Sequence, residues 1–422
     1  MRPITPRIDS FSTSISNKSY IEETSSDAHP AQTPNPAHAK GVPPAQGHAL
    51  PEVGQPLIQG SSSKALLGMS DAKGRLVVVS NRLIDPDKPA AGGLAVALSE
   101  MMHKRDGLWF GWSGKTTDEA SSKIVRTESF GRTTLAQVDL SQQHHDNYYA
   151  GFSNSVLWPV FHQKAENAVW NSAHFEDYKQ VNKILASQLA PMLKDDDVLW
   201  IHDYHLIPFA QELRALGCKQ RMGFFNHIPM PSPDDIKKID QHKELMEALF
   251  SYDLVGMQSE RDVKNIQKYV EEEGDGQQLE GALVEAFGKK TSVRNFPIGI
   301  DVESLKALAP SSDPTSIAVL NEVRSEFGKG RTLMVGVDRL DYSKGILIRL
   351  EAFREYLDTH REMLSKVTFV QIAAPTRESV PAYVTLGKQA RELVDGINKG
   401  FETKTWKPVM YFNVSVNRNA LP

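Results

Sequence analysis

The stretch "RLVVVSNR", residues 75–82, predicts the start of the ordered part of the chain. Leu76 to Val79 are four consecutive large aliphatic residues, a run typical of a strand buried on both faces of a parallel sheet. Arg82 follows that strand at its carboxyl end, where open α/β sheets bind ligands. The stretch therefore predicts an α/β fold, with Arg82 as either a ligand-binding residue or a solvated loop arginine.

Strands and helices alternate further along the chain. A helical pattern covers residues 180–193. The predicted strands around it are "VLWI" (198–201), "MGFFNH" (222–227), "LVGM" (254–257) and "VRNFPI" (293–298). This alternation predicts a parallel sheet with helices on both faces.

A second series of strands follows a break containing Pro and Ser at residues 310–314. Its predicted strands are "LMVGV" (333–337), "VTFVQIAA" (367–374) and "VMYF" (409–412). The helix after the first of them has apolar residues on one face: Ile346, Leu350, Phe353 and Leu357. We therefore predict two Rossmann-like domains in tandem, at residues 74–310 and 311–422, the second ending after about three strands.

Residues 1–73 differ in composition from the rest of the chain. They are rich in Ser, Pro, Ala, Gln and His, and their large aliphatic residues are sparse and unpatterned. Such a segment cannot bury enough apolar surface to offset its chain entropy. We predict that it is a disordered extension.

Composition also limits the class of protein. The net charge of -4 argues against nucleic-acid binding. No apolar run approaches about 18 residues, and the first residues lack an apolar segment, so neither a membrane span nor a secretory signal is expected. The single cysteine, Cys218, excludes an internal disulfide. We expect a cytoplasmic protein with no membrane or nucleic-acid partner.

The motif "VDRLDYSKG" (337–345) follows a predicted strand and precedes a helix. It combines the planar fork of Arg339 with the compact charge of Lys344, which suits a diphosphate and would stabilise one as it departs without Mg²⁺. Ser343 is expected to cap the following helix. In the alternative interpretation, Asp338 or Asp341 neutralises these cations in salt bridges.

Polar residues also crowd the ends of two other predicted strands. "WIHDYHL" (200–206) contains His202, Asp203, Tyr204 and His205, and "FFNHIP" (224–229) contains His227. Asp203 could orient a hydroxyl or take part in proton transfer. The histidines could equally be structural. A zinc site from His202, His205 and His227 is the third interpretation, but no familiar ligand spacing supports it.

Aromatic residues suggest a carbohydrate-binding wall or, alternatively, ordinary core packing. The segments "GLWFGWSG" (107–114) and "YYAGFSNSVLWPVFH" (148–162) contain Trp109, Trp112, Tyr148, Tyr149 and Trp158.

Two short patterns have weaker implications. Gly92 and Gly93 begin a predicted helix in "AAGGLAVAL" (90–98), which is either an anion site or a tight loop. They do not form the G-x-G-x-x-G fingerprint, which disfavours a dehydrogenase. The acidic clusters at 85–87 and 195–197 are predicted to be turns rather than cation sites.

Taken in order, several of these segments resemble the trehalose-6-phosphate synthase family of retaining glycosyltransferases (glycosyltransferase family 20). The resemblance spans residues 75 to 420 and covers "VVVSNR", "AGGLAVAL", "WFGWSGK", "FSNSVLWPVFH", "WIHDYHL", "GFFNHIP", "PIGID", "VDRLDYSKG", "QIAAPTRESV" and "SVNRNAL". It implies the GT-B fold, in which two Rossmann-like domains face each other across a cleft. It also implies a role in trehalose biosynthesis, a pathway associated with stress protection.

The resemblance implies glucose transfer from UDP-glucose to glucose 6-phosphate, forming α,α-trehalose 6-phosphate and UDP. It assigns donor binding to Gly93, His227, Arg339 and Lys344. It assigns acceptor binding to Arg82, Trp112, Tyr149, Trp158, Asp203 and Arg377. Asp203, His227, Arg339 and Lys344 would be the catalytic residues.

Members of this family retain the anomeric configuration without an established covalent intermediate. A leaving-phosphate oxygen is thought to take the acceptor's proton, so no carboxylate nucleophile, metal or cofactor is implied. The expected partners are UDP-glucose and glucose 6-phosphate, and a homo-oligomer is conceivable.

The chain departs from the family pattern after "SVNRNALP" (415–422), since an acidic segment expected beyond that point has no match. We therefore expect an incomplete second domain and weak or absent activity. The alternatives are a non-catalytic protein that binds glucose 6-phosphate, and a synthase with a different acceptor.

Overall fold

A computed structural model describes residues 74–85, 98–99, 101–117, 125–299, 302–303, 306, 321, 330–378 and 380–415. The chain divides into two units, Met1–Ala72 and Lys73–Pro422, and all described residues belong to the second. The predictions for residues 1–73, for Gly92 and Gly93 and for the break at 310–314 concern residues outside this set.

Within the described residues, the larger sheet has ten strands in the order β3-β4-β2-β1-β5-β6-β7-β10-β9-β8. Neighbours from β4 to β10 pair in parallel, and β3, β9 and β8 add antiparallel edges. The strands are β1 (Leu76–Arg82), β2 (Gly107–Thr117), β3 (Arg126–Phe130), β4 (Thr133–Ser141), β5 (Val198–His202), β6 (Arg221–Phe225), β7 (Leu254–Met257), β8 (Gln277–Gln278), β9 (Leu283–Ala286) and β10 (Lys289–Asn295). The predicted parallel sheet is therefore present.

Helices connect these strands. The α-helices are Gln142–His144, Trp158–Phe161, Ser172–Leu189, Phe209–Ala215, Pro233–Ile236, His242–Leu249 and Glu260–Glu273. His145–Leu157 forms a π-helix. Short 3₁₀ turns lie at Ala165–Asn167, Ala190–Met192 and Tyr204–Leu206. Some helix starts have side-chain caps, as where Ser259 and Asp262 form a reciprocal capping box.

In the part of the chain that the structure describes, the smaller sheet has three parallel strands, β11 (Thr332–Arg339), β12 (Val367–Ala374) and β13 (Val409–Phe412), in that order. Its helices are Ile346–Thr359 and Pro381–Phe401, with 3₁₀ turns at Tyr342–Lys344 and Arg361–Met363. The predicted apolar face of the first helix is buried, and none of Ile346, Leu350, Phe353 and Leu357 is more than 3% exposed. The predicted second α/β series is therefore confirmed.

Prolines explain where two predicted boundaries were wrong. The strand predicted at 293–298 ends at Asn295, because Pro297 cannot donate to the sheet ladder. The helix predicted at 180–193 starts at Ser172 and ends at Leu189, where Pro191 turns the chain into a 3₁₀ segment. The strand predicted at 222–227 ends at Phe225, so His227 lies just beyond it.

Several residues with two interpretations belong to the scaffold. Trp109 and Tyr148 are fully buried, and they donate hydrogen bonds to Ser80 Oγ (2.9 Å) and Asn81 Oδ1 (2.7 Å). Asp197 accepts from Arg75 at 2.7 Å and from the backbone of a preceding turn, as predicted for the acidic cluster 195–197. None of the helices described here has the length and hydropathy of a membrane span.

Candidate active site

A cavity of about 520 Å³ lies where strands β5, β6 and β11 end. Its lining residues are Asn81, Tyr149, Trp158, His162, Asp203, Tyr204, His205, His227, Ile228, Pro229, Arg339, Ser343, Lys344 and Arg377. Residues from both α/β series thus meet at the carboxyl ends of their strands, the usual location of ligands in such sheets.

One wall of the cavity is aromatic and carries positive charge. The π-helix supplies Tyr149, and the helix that follows it begins with Trp158. The guanidinium carbon of Arg377 lies 3.8 Å from the centroid of the Trp158 ring, and that of Arg339 lies 5.7 Å away. Cations at such distances are attracted to the ring face. The wall therefore combines apolar surface with groups that attract anions.

Arg377 is held by several partners. Its backbone has a left-handed φ of 50°, which is strained for a residue other than glycine. Its Nη1 donates to Tyr383 Oη at 2.5 Å and lies 3.5 Å from Asp341 Oδ2, while Nη2 donates to Tyr204 Oη at 3.3 Å. The side chain is only 8% exposed. The guanidinium is therefore fixed before any ligand arrives.

The cations of the 337–345 motif are free of carboxylate partners. Asp338 forms its salt bridge with Arg349 at 2.8 Å, and Asp341 faces Arg377. Arg339 and Lys344 have no ion pair within the described residues and are exposed. The alternative in which aspartates neutralise them is therefore wrong, because both carboxylates face other arginines.

The helix after this motif starts without a side-chain cap, so the capping role predicted for Ser343 is also wrong. Gly345 occupies the N-terminal cap position at a left-handed φ of 66°, which suits glycine. The Ser343 N–H instead donates to Asp341 Oδ1 at 2.9 Å, and its hydroxyl has no partner in the described structure. Ser343 lines the cavity together with Lys344.

Asp203 follows β5 in a strained backbone conformation, with a φ of 79°. Its Oδ1 accepts the backbone N–H of His227 at 3.1 Å. Burial raises the pKa of Asp203 to about 6, although the hydrogen bonds and the charges of Arg377 and Arg339 oppose the shift. A carboxyl group with such a pKa can exchange a proton close to neutral pH.

The cavity histidines are kept neutral by burial. Burial lowers the pKa of His227 to about 4 and, with the charge of Arg377, that of His205 to about 3. His202 Nδ1 and His227 Nε2 are hydrogen-bonded at 3.0 Å. His205 instead packs between the rings of Tyr204 and Tyr149. Within the described ranges, no group of three or more His, Cys, Asp or Glu side chains could hold a metal ion.

Comparison with known proteins shows to which family the chain belongs. A profile of glycosyltransferase family 20 matches residues 78–421. The chain belongs to glycosyltransferase family 20. It is 39% identical over 350 residues to the trehalose-6-phosphate synthase of Enterobacter sp. (strain 638), covering 82% of this chain and 73% of that protein.

Solved structures of similar proteins agree with this family membership. A UDP-forming α,α-trehalose-phosphate synthase from Burkholderia xenovorans, in complex with glucose-6-phosphate, is 39% identical with a TM-score of 0.77, over 82% of this chain and 76% of that one. An E. coli structure bound with UDP-2-fluoro glucose is 36% identical with a TM-score of 0.76, over 82% and 75%. The fold is GT-B, as predicted.

Most of the residues predicted for the family's site meet in the cavity: Asp203, His227, Arg339, Lys344, Tyr149, Trp158 and Arg377. Two do not line it. Trp112 is buried behind Tyr149, with ring centroids 5.7 Å apart, and donates its indole N–H to Lys115 O. Arg82 is exposed, and its guanidinium lies 5.9 Å from the Trp112 ring. Gly93 lies outside the described residues, so its role stays a prediction.

Sequence reasoning missed two residues that support the cavity, His162 and Tyr383, and it gave Asp341 a different partner. His162 packs on Trp158 at 4.1 Å and bonds to its carbonyl oxygen, a contact that the spacing of four residues could have suggested. Asp341 and Tyr383 together anchor Arg377. No local pattern marks Tyr383, because its contact with Asp341 spans 42 residues.

Asp203 should make the stability of the protein depend on pH. Its pKa is about 6 in the folded protein, against an ordinary value of 3.8. Its protonated form therefore stabilises the fold fully below pH 3.8, and this contribution of about 2–3 kcal/mol is lost as pH rises through 6. We expect Asp203→Asn to remove this component from urea-unfolding free energies measured between pH 4 and 7. An unchanged pH profile in Asp203→Asn would contradict the assignment.

Proposed function

We propose that this protein transfers glucose from UDP-glucose to glucose 6-phosphate with retention of configuration, forming α,α-trehalose 6-phosphate and UDP. One observation carries the proposal. Arg339 and Lys344 line the cavity without carboxylate partners in the described structure, and the anchored Arg377 lines the same cavity. Separate positive groups around one cavity suit a reaction between two phosphorylated substrates.

The donor side of the reaction uses Arg339 and Lys344. In the proposed reaction, the bond between glucose C1 and the diphosphate oxygen breaks, and negative charge develops on UDP. Fixed cations stabilise such charge more as it develops than in the ground state, which lowers the barrier. Ser343 lies in the 3₁₀ turn Tyr342–Lys344, just before the helix that starts at Ile346, and its hydroxyl and the first N–H groups of that helix would add hydrogen-bond donors.

The acceptor side uses Arg377 for the phosphate of glucose 6-phosphate and the aromatic wall of Tyr149 and Trp158 for the sugar. The acceptor hydroxyl attacks C1 on the face from which UDP departs, and its proton passes to a phosphate oxygen of UDP. Asp203 and His227 would hold sugar hydroxyls in this geometry. Atoms and charge balance without a carboxylate nucleophile.

This assignment divides the chain into an acceptor domain, 74–310, and a nucleotide-sugar domain, 311–422, with Arg377 reaching the acceptor from the second. We place the activity in the cytoplasm, with the two small molecules as partners and neither nucleic acid nor membrane involved. Whether copies associate is tested by light scattering during gel filtration.

The direct test is turnover of UDP-glucose with glucose 6-phosphate by the full chain, followed by NMR. We expect UDP together with a product whose two anomeric protons both show the α configuration. Glucose in place of glucose 6-phosphate is the matched control and should react far more slowly, because Arg377 then has no phosphate to bind. Calorimetric binding of glucose 6-phosphate without binding of UDP-glucose would favour a non-catalytic sugar-phosphate-binding protein instead.

A further inference from the structure

Parallel pairing of β5 and β6 brings two histidine rings together beside the cavity. His202 ends β5 and pairs with Phe225, two residues before His227. The two ring centroids lie 5.2 Å apart, and the ring planes make an angle of 29°. His202 Nδ1 lies 3.0 Å from His227 Nε2. His202 is only 1% exposed, whereas His227 lines the cavity.

One proton lies in this contact, and burial indicates which ring donates it. His202 Nε2 is buried and has no hydrogen-bond partner in the described structure. A buried N–H without an acceptor is rarely tolerated, so the proton of neutral His202 belongs on Nδ1. His202 then donates to His227 Nε2, and His227 must carry its own proton on Nδ1. Burial lowers the pKa of both rings, which keeps them neutral.

The Nδ1 atom of His227 is available to bind a ligand. No hydrogen bond joins His227 Nδ1 to any residue that the structure describes, and the residue faces the cavity. Its backbone is held as well, because its N–H donates to Asp203 Oδ1 at 3.1 Å. The ring contact with His202 and the backbone bond to Asp203 thus both restrain His227.

We propose that His202 is a positioning residue that holds His227 in the Nδ1–H tautomer, so that His227 presents a hydrogen-bond donor to an oxygen of the glucose moiety of UDP-glucose. The identity of this ligand rests on the proposed function. The tautomer itself rests on the contacts alone. A histidine nitrogen that is bonded on one side in this way determines what the other side can recognise.

Two substitutions at His202 separate positioning from packing. The amide of Asn can replace Nδ1 as a donor, so His202→Asn should retain the tautomer of His227, whereas His202→Phe removes the donor but keeps a ring. Long-range ¹H–¹⁵N spectra of the full chain report the protonated nitrogen of His227 directly. We expect Nδ1–H in the native protein and in His202→Asn, and a shift towards Nε2–H in His202→Phe.

Binding provides the second readout. UDP-glucose affinity should fall by about tenfold in His202→Phe, as for one lost hydrogen bond, and by less than about threefold in His202→Asn. UDP, which lacks the hexose, should bind equally to all three proteins. His242→Phe is the matched control, because His242 bonds to Tyr269 Oη at 2.6 Å and does not line the cavity. Circular dichroism checks folding, and His202→Gln replaces the Phe variant if that variant does not fold.

Native spectra showing His227 protonated at Nε2 would overturn the proposal, as would unchanged UDP-glucose affinity in a folded His202→Phe. Failure of the proposed function would give a different set of results. The native protein would then bind neither UDP-glucose nor UDP, which removes the assigned ligand, while the NMR spectra would still decide whether His202 sets the tautomer.

Discussion

Replacing Arg339 with Ala should lower the turnover number by about 10²- to 10³-fold, the usual cost of removing one group that stabilises transition-state charge. Arg339 ends β11 and lines the cavity, and its guanidinium has no carboxylate partner among the described residues. Lys344→Ala should weaken UDP binding by about 1–3 kcal/mol, as for a lost charge-assisted hydrogen bond. Single-turnover kinetics and calorimetry with UDP separate the two effects.

Arg331 offers a matched control next to the opposite end of the same strand. Its guanidinium donates to the carbonyl oxygens of Ser365 (3.1 Å) and Thr405 (2.9 Å), and it does not line the cavity. Arg331→Ala should leave turnover and UDP affinity close to native values. If Arg339→Ala behaved like Arg331→Ala, the charge of Arg339 would have no part in the reaction.

Arg377→Met should have the second large effect, on both binding and stability. Loss of a buried guanidinium should weaken glucose 6-phosphate binding by about 10- to 100-fold and leave UDP binding unchanged. It should also cost about 3–5 kcal/mol of unfolding free energy, because the fully buried Asp341 would lose its positive partner. Calorimetry and urea denaturation measure the two losses.

A double replacement separates these two roles of Arg377. Asp341→Asn together with Arg377→Met removes both charges, so most of the lost stability should return, since no unpaired buried charge remains. Affinity for glucose 6-phosphate should not return. Recovery of binding along with stability would mean that Arg377 only supports the fold.

The strands could be predicted well because burial on both faces requires unbroken apolar runs. Leu76–Val79 is such a run, Val367–Ala374 is interrupted only by Thr368 and Gln371, and both lie in strands of the structure. The element ends were harder to predict. Pro191 and Pro297 are visible in the sequence, but whether a helix or strand continues up to a proline depends on its neighbours in the fold.

The candidate site could be predicted where a rule of topology applied. Asp203, His227 and Arg339 lie at or just beyond the ends of parallel strands, and the structure brings all three to the cavity. The distance of each aromatic side chain from the cavity could not be predicted in the same way. Trp112 lies one layer behind Tyr149, and its motif carries no sign of which aromatic ring is in front. The anchor of Arg377 depends on Tyr383, which only tertiary packing brings near.

Because His145–Leu157 forms a π-helix, the number of residues in this segment determines where its side chains point, just as its composition determines what they can bind. Each of its hydrogen bonds spans one residue more than in an α-helix, as where the Trp158 N–H reaches Ser153 O. A deletion of one residue between Tyr149 and Trp158 that kept the remaining π-helical hydrogen bonds would rotate these two residues relative to each other by one residue's turn, on the order of 80–100°. Tyr149 and Trp158 would then point in different directions, so a chain one residue shorter could stay helical and still lose the aromatic wall that we propose binds the sugar.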